Sequence, residues 1–261
     1  MTNSARGVAL VRPPAGSLAD GIVTHIERQP VDVELAGRQH KEYVAALGGA
    51  GWSVREVEQA PACPDSVFVE DAVVVVGDVA VLTRPGAEER RGELAAVADV
   101  VAGLPLEVHR IEAPGTLDGG DVLQIGDTCY VGRGGRTNGA GIAQLRAIVA
   151  PLGRRVVPVP LGQVLHLKSA VTALPDDSVV GLADLVDQRL FPSWRDVEEP
   201  AGCHVVPLGD GALLMAASAP RSAAWFSDLG FDVVAVDISE FEKLEGCVTC
   251  LSVLVPSVSR S

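Results

Sequence analysis

The chain has 261 residues, 48% apolar but only 4% aromatic, and carries a formal charge of −13. Such a composition excludes a disordered chain and fits an α/β protein rich in buried strands. The acidic balance argues against a nucleic-acid partner, because a phosphate backbone attracts a basic surface. No run approaches the roughly 18 uninterrupted apolar residues that a membrane-spanning helix needs; the best stretch, 72–82, is broken by Asp78. The N-terminus, Met1 to Arg6, shows no basic start followed by an apolar run. Five cysteines without a secretory pattern predict reduced thiols, so a soluble cytoplasmic protein is expected.

In chain order, the predicted elements alternate between strand, loop and helix. Val8-Ala-Leu-Val-Arg-Pro-Pro14 reads as a strand that stops at its prolines. A helix follows over 31–47, where apolar residues fall at mostly helical intervals before Gly48-Gly49, and Trp52 to Val57 returns as a strand. Val79-Ala-Val-Leu-Thr-Arg-Pro-Gly86 then restates the first phrase, with a helix over 88–101 and a strand from Leu106. Thr128 to Arg133 restates it again, with a helix over 140–149 and a strand from Arg155. Weaker echoes stand at Ser178 and Ala212, the latter followed by a helix over 219–229 and a strand from Phe231. Recurrence at about 50 residues predicts an internally repeated architecture. With no low-complexity linker, residues 1–261 are expected to form a single domain.

Several residues are candidates for chemistry. Cys250 lies near the C-terminus in Cys247-Val-Thr-Cys-Leu-Ser252, and a thiolate is a strong nucleophile when a cation or a positioned base lowers its pKa. On these residues alone, a buried cysteine in an apolar strand and a CxxC redox or zinc site remain open. His166, in Val164-Leu-His-Leu-Lys168, reads as a strand residue on the face opposite its leucines; it suits proton transfer once a carboxylate orients it, or a structural role. Asp118, beside Gly119-Gly120, is a candidate orienter, or an ordinary turn aspartate. Glu70 and Asp71 stand between apolar runs, where buried acids need partners; a guanidinium's planar fork fits them, and so does one of the chain's own arginines. Arg90 and Arg136 are loop arginines able to bind a carboxylate. Leu18 lies in a glycine-containing segment that reads as a mobile lid or a plain turn.

Together these segments resemble the dimethylarginine dimethylaminohydrolase family of the guanidine-modifying, or pentein, superfamily. The likeness runs through Pro64-Asp-Ser-Val-Phe-Val-Glu-Asp71, Leu82 to Ala87 with Arg90, Gly115 to Leu123, Arg136-Thr-Asn138, Leu165 to Lys168 and Thr249 to Ser252. It implies a pentein fold, an α/β-propeller of five ββαβ modules with pseudo-fivefold symmetry and a central site. It also implies Cys250 as nucleophile, His166 as general acid/base and Asp118 as its orienting carboxylate. Glu70 and Asp71 would hold the guanidinium beside Phe68, Arg90 and Arg136 the substrate carboxylate, and Asp65 the α-amino group, with Leu18 in a lid.

The implied reaction converts methylated arginine to citrulline and an alkylamine through a covalent thiouronium, with no metal or organic cofactor. The implied partner is a small guanidino compound, not a nucleic acid or a membrane; whether the chain forms a homodimer stays open. Asp118 stands where some bacterial members carry Glu, and Glu245, near the nucleophile, where Asp is the familiar residue. An arginine deiminase or amidinotransferase is the second expectation, although those chains are usually much longer. A silent guanidine-binding protein ranks below these, and a redox or zinc protein last.

Overall fold

The computed structural model describes residues 6–257, so Met1 to Ala5 of the N-terminal reading lie outside the described residues. Strand β1 (Gly7–Val11) leads through helix α1 (Val33–Gly49) to β2 (Ser53–Glu56). Next come β3 (Val73–Val76), β4 (Val79–Leu82), α2 (Leu94–Ala102) and β5 (Glu107–Arg110). The pattern repeats as β6 (Val122–Ile125), β7 (Thr128–Arg133), α3 (Gly139–Val149) and β8 (Arg155–Pro160). A third copy has β9 (Val171–Ala173), β10 (Val179–Gly181) and β11 (Trp194–Asp196). Its helix is reduced to a 3₁₀ turn, Gln188–Leu190. The fourth has β12 (Val205–Gly209), β13 (Ala212–Ala216), α4 (Pro220–Asp228) and β14 (Asp232–Val236). After the short α5 (Ser239–Glu242), β15 (Ser252–Pro256) pairs antiparallel with β1 and, with β1 and β2, completes the fifth copy from the two ends of the chain.

Among the described residues the result is five three-stranded sheets, each made of an antiparallel pair and a parallel third strand. Two of the hairpins turn at the same dipeptide. Gly77-Asp78 joins β3 to β4 and Gly126-Asp127 joins β6 to β7, with φ of +62° and +53° at the glycines. Glycine at the first position is what a two-residue turn needs to match the twist of its strands. The recurring phrase of the sequence is the middle strand of each sheet, namely β1, β4, β7, β10 and β13. A middle strand is paired on both edges, so it reads as a near-continuous apolar run; the last strand of each copy is largely exposed.

The first strands β3, β6, β9, β12 and β15 all line one central cavity of ≈ 880 Å³ counted with its open end. This is the pentein ring of five modules, four with an α-helix and one without. A 3₁₀ turn stands just before each first strand: Val69–Ala72, Gly119–Asp121, Leu167–Ser169, Pro200–Cys203 and Val248–Leu251. Because the first strands surround one axis, these turns converge, although their starting residues, 69, 119, 167, 200 and 248, are far apart in the chain. Among the described residues, no helix is long and apolar enough to cross a membrane.

Candidate active site

The converging turns carry the candidate residues. Glu70 and Asp71 lie within the first, Asp118 and His166 immediately precede the second and third, and Cys250 lies within the last. The local structure differs from the strands expected around His166 and Cys250. The segments around His166 and Cys250 are 3₁₀ turns with extended leading residues, and the strands begin only at Val171 and Ser252. Tyr43 of α1, wholly buried, donates its hydroxyl to the Val248 carbonyl at 2.8 Å and also contacts the Ser252 hydroxyl, fixing both ends of the cysteine turn. Asp121 anchors the histidine turn in the same way, its Oδ1 accepting the Leu167 N–H at 2.9 Å.

His166 sits between two acids. Its Nε2 is 3.0 Å from Asp118 Oδ2, and its Nδ1 is 3.7 Å from Asp71 Oδ1. Asp118 is itself held, its Oδ1 accepting the Gly86 N–H at 2.8 Å. Asp71 accepts from the Gly120 N–H at 2.9 Å and from Arg90 Nη1 at 2.5 Å. Burial opposes a charge on the imidazole, but Asp71, Asp118 and Asp121 outweigh it and push His166 up to about 9. Burial likewise works against the Asp71 carboxylate, yet His166 and Arg90 hold it down at about 2. At neutral pH the site therefore keeps an imidazolium between carboxylates, an acid ready to donate a proton. Ligand atoms of Asp71, Asp118 and His166 lie within 4.8 Å of one another, the spacing a metal ion would require. Arg90, Gly86 and Gly120 already occupy lone pairs of both acids, so the cluster fits a proton-bearing imidazole better than a dication.

Cys250 is 7% exposed and faces the same slender pocket as His166, Asp71, Phe68 and Arg136. That pocket holds ≈ 330 Å³ counted with its mouth. The Cys247 sulfur, 3.2 Å away, together with burial and the negative Glu70 and Asp71, pushes the Cys250 thiol up. A cation arriving in the pocket would oppose these effects and favour the thiolate.

The remaining candidates divide. Asp65 lines the pocket and binds the Ile22 N–H through both carboxylate oxygens at 3.1 Å, tying down the loop that follows Leu18. Glu245 also lines it, at a left-handed φ of +60°, and accepts from the N–H groups of Thr24 and His25 at 2.6 and 2.9 Å. Its carboxylate is thus committed to the loop over the pocket, not to the pocket itself.

Arg90 is buried and nearly saturated. It forms a two-toothed pair with Glu93 at 2.9 Å, reaches Asp71, and donates to the Asp65 and Phe68 carbonyls. Its geometry is that of a clamp on Asp71, with little donor capacity left for a ligand. Arg136 contrasts with it: Nη1 is buried, faces no hydrogen-bond acceptor among the described residues, and belongs to a side chain lining the pocket. Glu70 does not line this pocket. Its Oε1 accepts from Lys168 Nζ at 2.6 Å and its Oε2 from the Thr249 hydroxyl at 3.1 Å, on the wall of the central cavity. Leu18 is wholly buried in the apolar core, and Ile22 is the loop residue that reaches the pocket.

Sequence reasoning passed over Glu93, Lys168, Asp121 and Tyr43 as parts of the site. Glu93 was the most accessible of these, since Arg90 and Glu93 are three residues apart in a 3₁₀ span, where side chains at i and i+3 eclipse.

A five-module ring carrying a cysteine, a doubly flanked histidine and an unpartnered guanidinium in one narrow pocket defines a cysteine hydrolase of the guanidine-modifying type. No family model matches the chain. Over 246 residues it is 62% identical to the N(G),N(G)-dimethylarginine dimethylaminohydrolase of Streptomyces coelicolor, covering 94% of this chain and 95% of that one. It is 36% identical to the Pseudomonas aeruginosa protein of the same name, with 93% and 97% covered. A solved dimethylarginine dimethylaminohydrolase, bound as an adduct with S-methyl-L-thiocitrulline, superposes with a TM-score of 0.90 at 33% identity, over 95% of this chain and 99% of that one. A cysteine-to-serine variant of the Pseudomonas aeruginosa enzyme complexed with citrulline superposes at 0.89 with 32% identity, over 97% and 100%. The chain belongs to the dimethylarginine dimethylaminohydrolase family.

Proposed function

We propose that this protein hydrolyses Nω-methylated arginine to citrulline and an alkylamine, with residues 1–261 acting as one cytoplasmic catalytic domain. The observation that carries the reading is the shared pocket, lined by Cys250, His166, Asp71 and Arg136, the last with a buried nitrogen that faces no acceptor among the described residues. The substrate guanidinium would lie against Asp71, its α-carboxylate on Arg136, and its α-amino group toward Asp65.

Cys250 Sγ attacks the guanidinium carbon as a thiolate. His166 gives its proton to the methylamine nitrogen, the C–N bond breaks, and a covalent thiouronium remains on sulfur. The now neutral imidazole takes a proton from water, whose oxygen adds to the same carbon. Collapse expels the Cys250 thiolate, the hydroxyl proton passes to solvent, and citrulline leaves. Arg90 acts in this scheme through Asp71, which it holds ionised and oriented. Glu70, paired with Lys168, accepts from the hydroxyl of Thr249 and so steadies the residue next to Cys250.

Citrulline release from asymmetric dimethylarginine, monomethylarginine and arginine, with Cys250→Ser as control, tests the proposal. Turnover of the methylated substrates, lost in the variant, is the expected outcome. Turnover of arginine alone would replace this reading with a deiminase. The same preparation, weighed by light scattering, decides between a monomer and a homodimer.

A further inference from the structure

The thiol beside the candidate nucleophile has no part in this reaction. Cys247 caps a 3₁₀ turn and Cys250 lies within it three residues on, where i and i+3 side chains eclipse. Their sulfurs are 3.2 Å apart, and the Cys247 N–H also points at Cys250 Sγ, at 3.4 Å. A disulfide needs about 2.05 Å between sulfurs, so the two need approach by only about 1 Å to join. The other three cysteines, Cys63, Cys129 and Cys203, are buried and free. The pair is also asymmetric, since Cys250 lines the open pocket, whereas Cys247 lies behind it at 3% exposure.

We propose that Cys247 is a resolving cysteine and that Cys247–Cys250 is a reversible disulfide site, formed when a hydroperoxide reaches Cys250. The Cys250 thiolate attacks the peroxide oxygen, the O–O bond breaks, and with one proton taken up the products are a sulfenic acid and water (an alcohol, from an organic peroxide). The peroxide is reduced by two electrons and the sulfur oxidised by two. Cys247 sulfur then attacks Cys250 sulfur; its proton joins the departing hydroxyl, and a second water leaves as the S–S bond forms. A dithiol reverses the bond by exchange and returns both electrons. Formation arrests turnover by occupying the nucleophile, and it keeps the sulfur from proceeding to the sulfinic acid, which reductants do not restore. The functional part of this inference rests on Cys250 being the nucleophile.

The test treats the full chain with hydrogen peroxide and follows both activity and the mass of the tryptic peptide 244–260, which carries both cysteines. In the wild type, activity is lost together with two hydrogens from that peptide, and dithiothreitol restores both. In Cys247→Ser and Cys247→Ala, each compared with its own reduced activity, the peptide gains two or three oxygens and dithiothreitol recovers nothing. Sulfinic acid in the wild type to the same extent as in the variants, or a peptide that stays a dithiol while activity is lost, overturns the proposal. Mass is read without turnover, so a Cys250→Ser enzyme that still releases citrulline would refute the nucleophile assignment while the wild-type peptide still answers for the disulfide.

Discussion

Replacing Asp118 by Asn removes the negative charge facing His166 Nε2 while keeping the size of a side chain that is wholly buried. A hydrogen bond to a charged group contributes about 1.5–3 kcal/mol, and one pKa unit corresponds to about 1.4 kcal/mol. His166, now at about 9, should therefore fall by about one to two units. The first half of the proposed reaction needs the protonated imidazole, so kcat/KM declines as pH rises through the His166 pKa of the free enzyme. The alkaline limb of the kcat/KM profile in Asp118→Asn should accordingly move down by about one to two units. Citrulline formation measured across the range at low substrate concentration reads this directly.

Linkage supplies a second readout. A histidine raised from 6.5 to about 9 contributes stability that is full below pH 6.5 and lost as pH rises through about 9. The Tm deficit of Asp118→Asn should follow that course, largest at the acidic end of the window and closing above it. An alkaline limb that stays where it is in the wild type, with kcat merely scaled down, would refute the assignment of Asp118 as the residue that sets the His166 proton.

Gly120→Ala should cost about a hundredfold in kcat, because an added Cβ would stand 2.7 Å from His166 Nδ1 and 2.8 Å from Asp71 Oδ1; single-turnover rates check this, and a near-wild-type rate would show that the pair has room to adjust. Arg136→Ala should raise KM for methylated arginine by about 10- to 100-fold with a smaller change in kcat, the value of a charge-assisted hydrogen bond to a carboxylate. A substrate analogue lacking the α-carboxylate should lose that discrimination, and equal losses for both compounds would place the guanidinium elsewhere.

The residues that carry the chemistry were legible in the sequence as types. Their direction was not. Glu70 and Asp71 are neighbours in the chain and read as two jaws around one guanidinium. On a 3₁₀ turn, successive side chains point about 120° apart, so Asp71 meets His166 and Arg90 while Glu70 meets Lys168 and Thr249. Arg90 and Arg136 looked alike as loop arginines. Only the packed structure gives Glu93 to the first and leaves a nitrogen of the second without an acceptor. Leu18 and Glu245 fall under the same limit, because whether a loop residue turns into the core, grips backbone or faces a pocket depends on contacts made by distant parts of the chain.

What the sequence determined by itself is the repeat. The same apolar phrase, punctuated by proline or glycine, specifies the middle strand of each sheet, and the segments following most copies already carry a helix and an outer strand. Local hydrophobic patterning and turn chemistry suffice for that, since both act over a few residues. Closure of the ring was decided only in three dimensions. β15 pairs with β1 across nearly the whole chain, and that pairing brings the turn of Cys250 to the turns of Asp71, Asp118 and His166. The protonation of His166 follows from the same step, because the charges that hold it come from two other modules and act only once burial has removed the water between them.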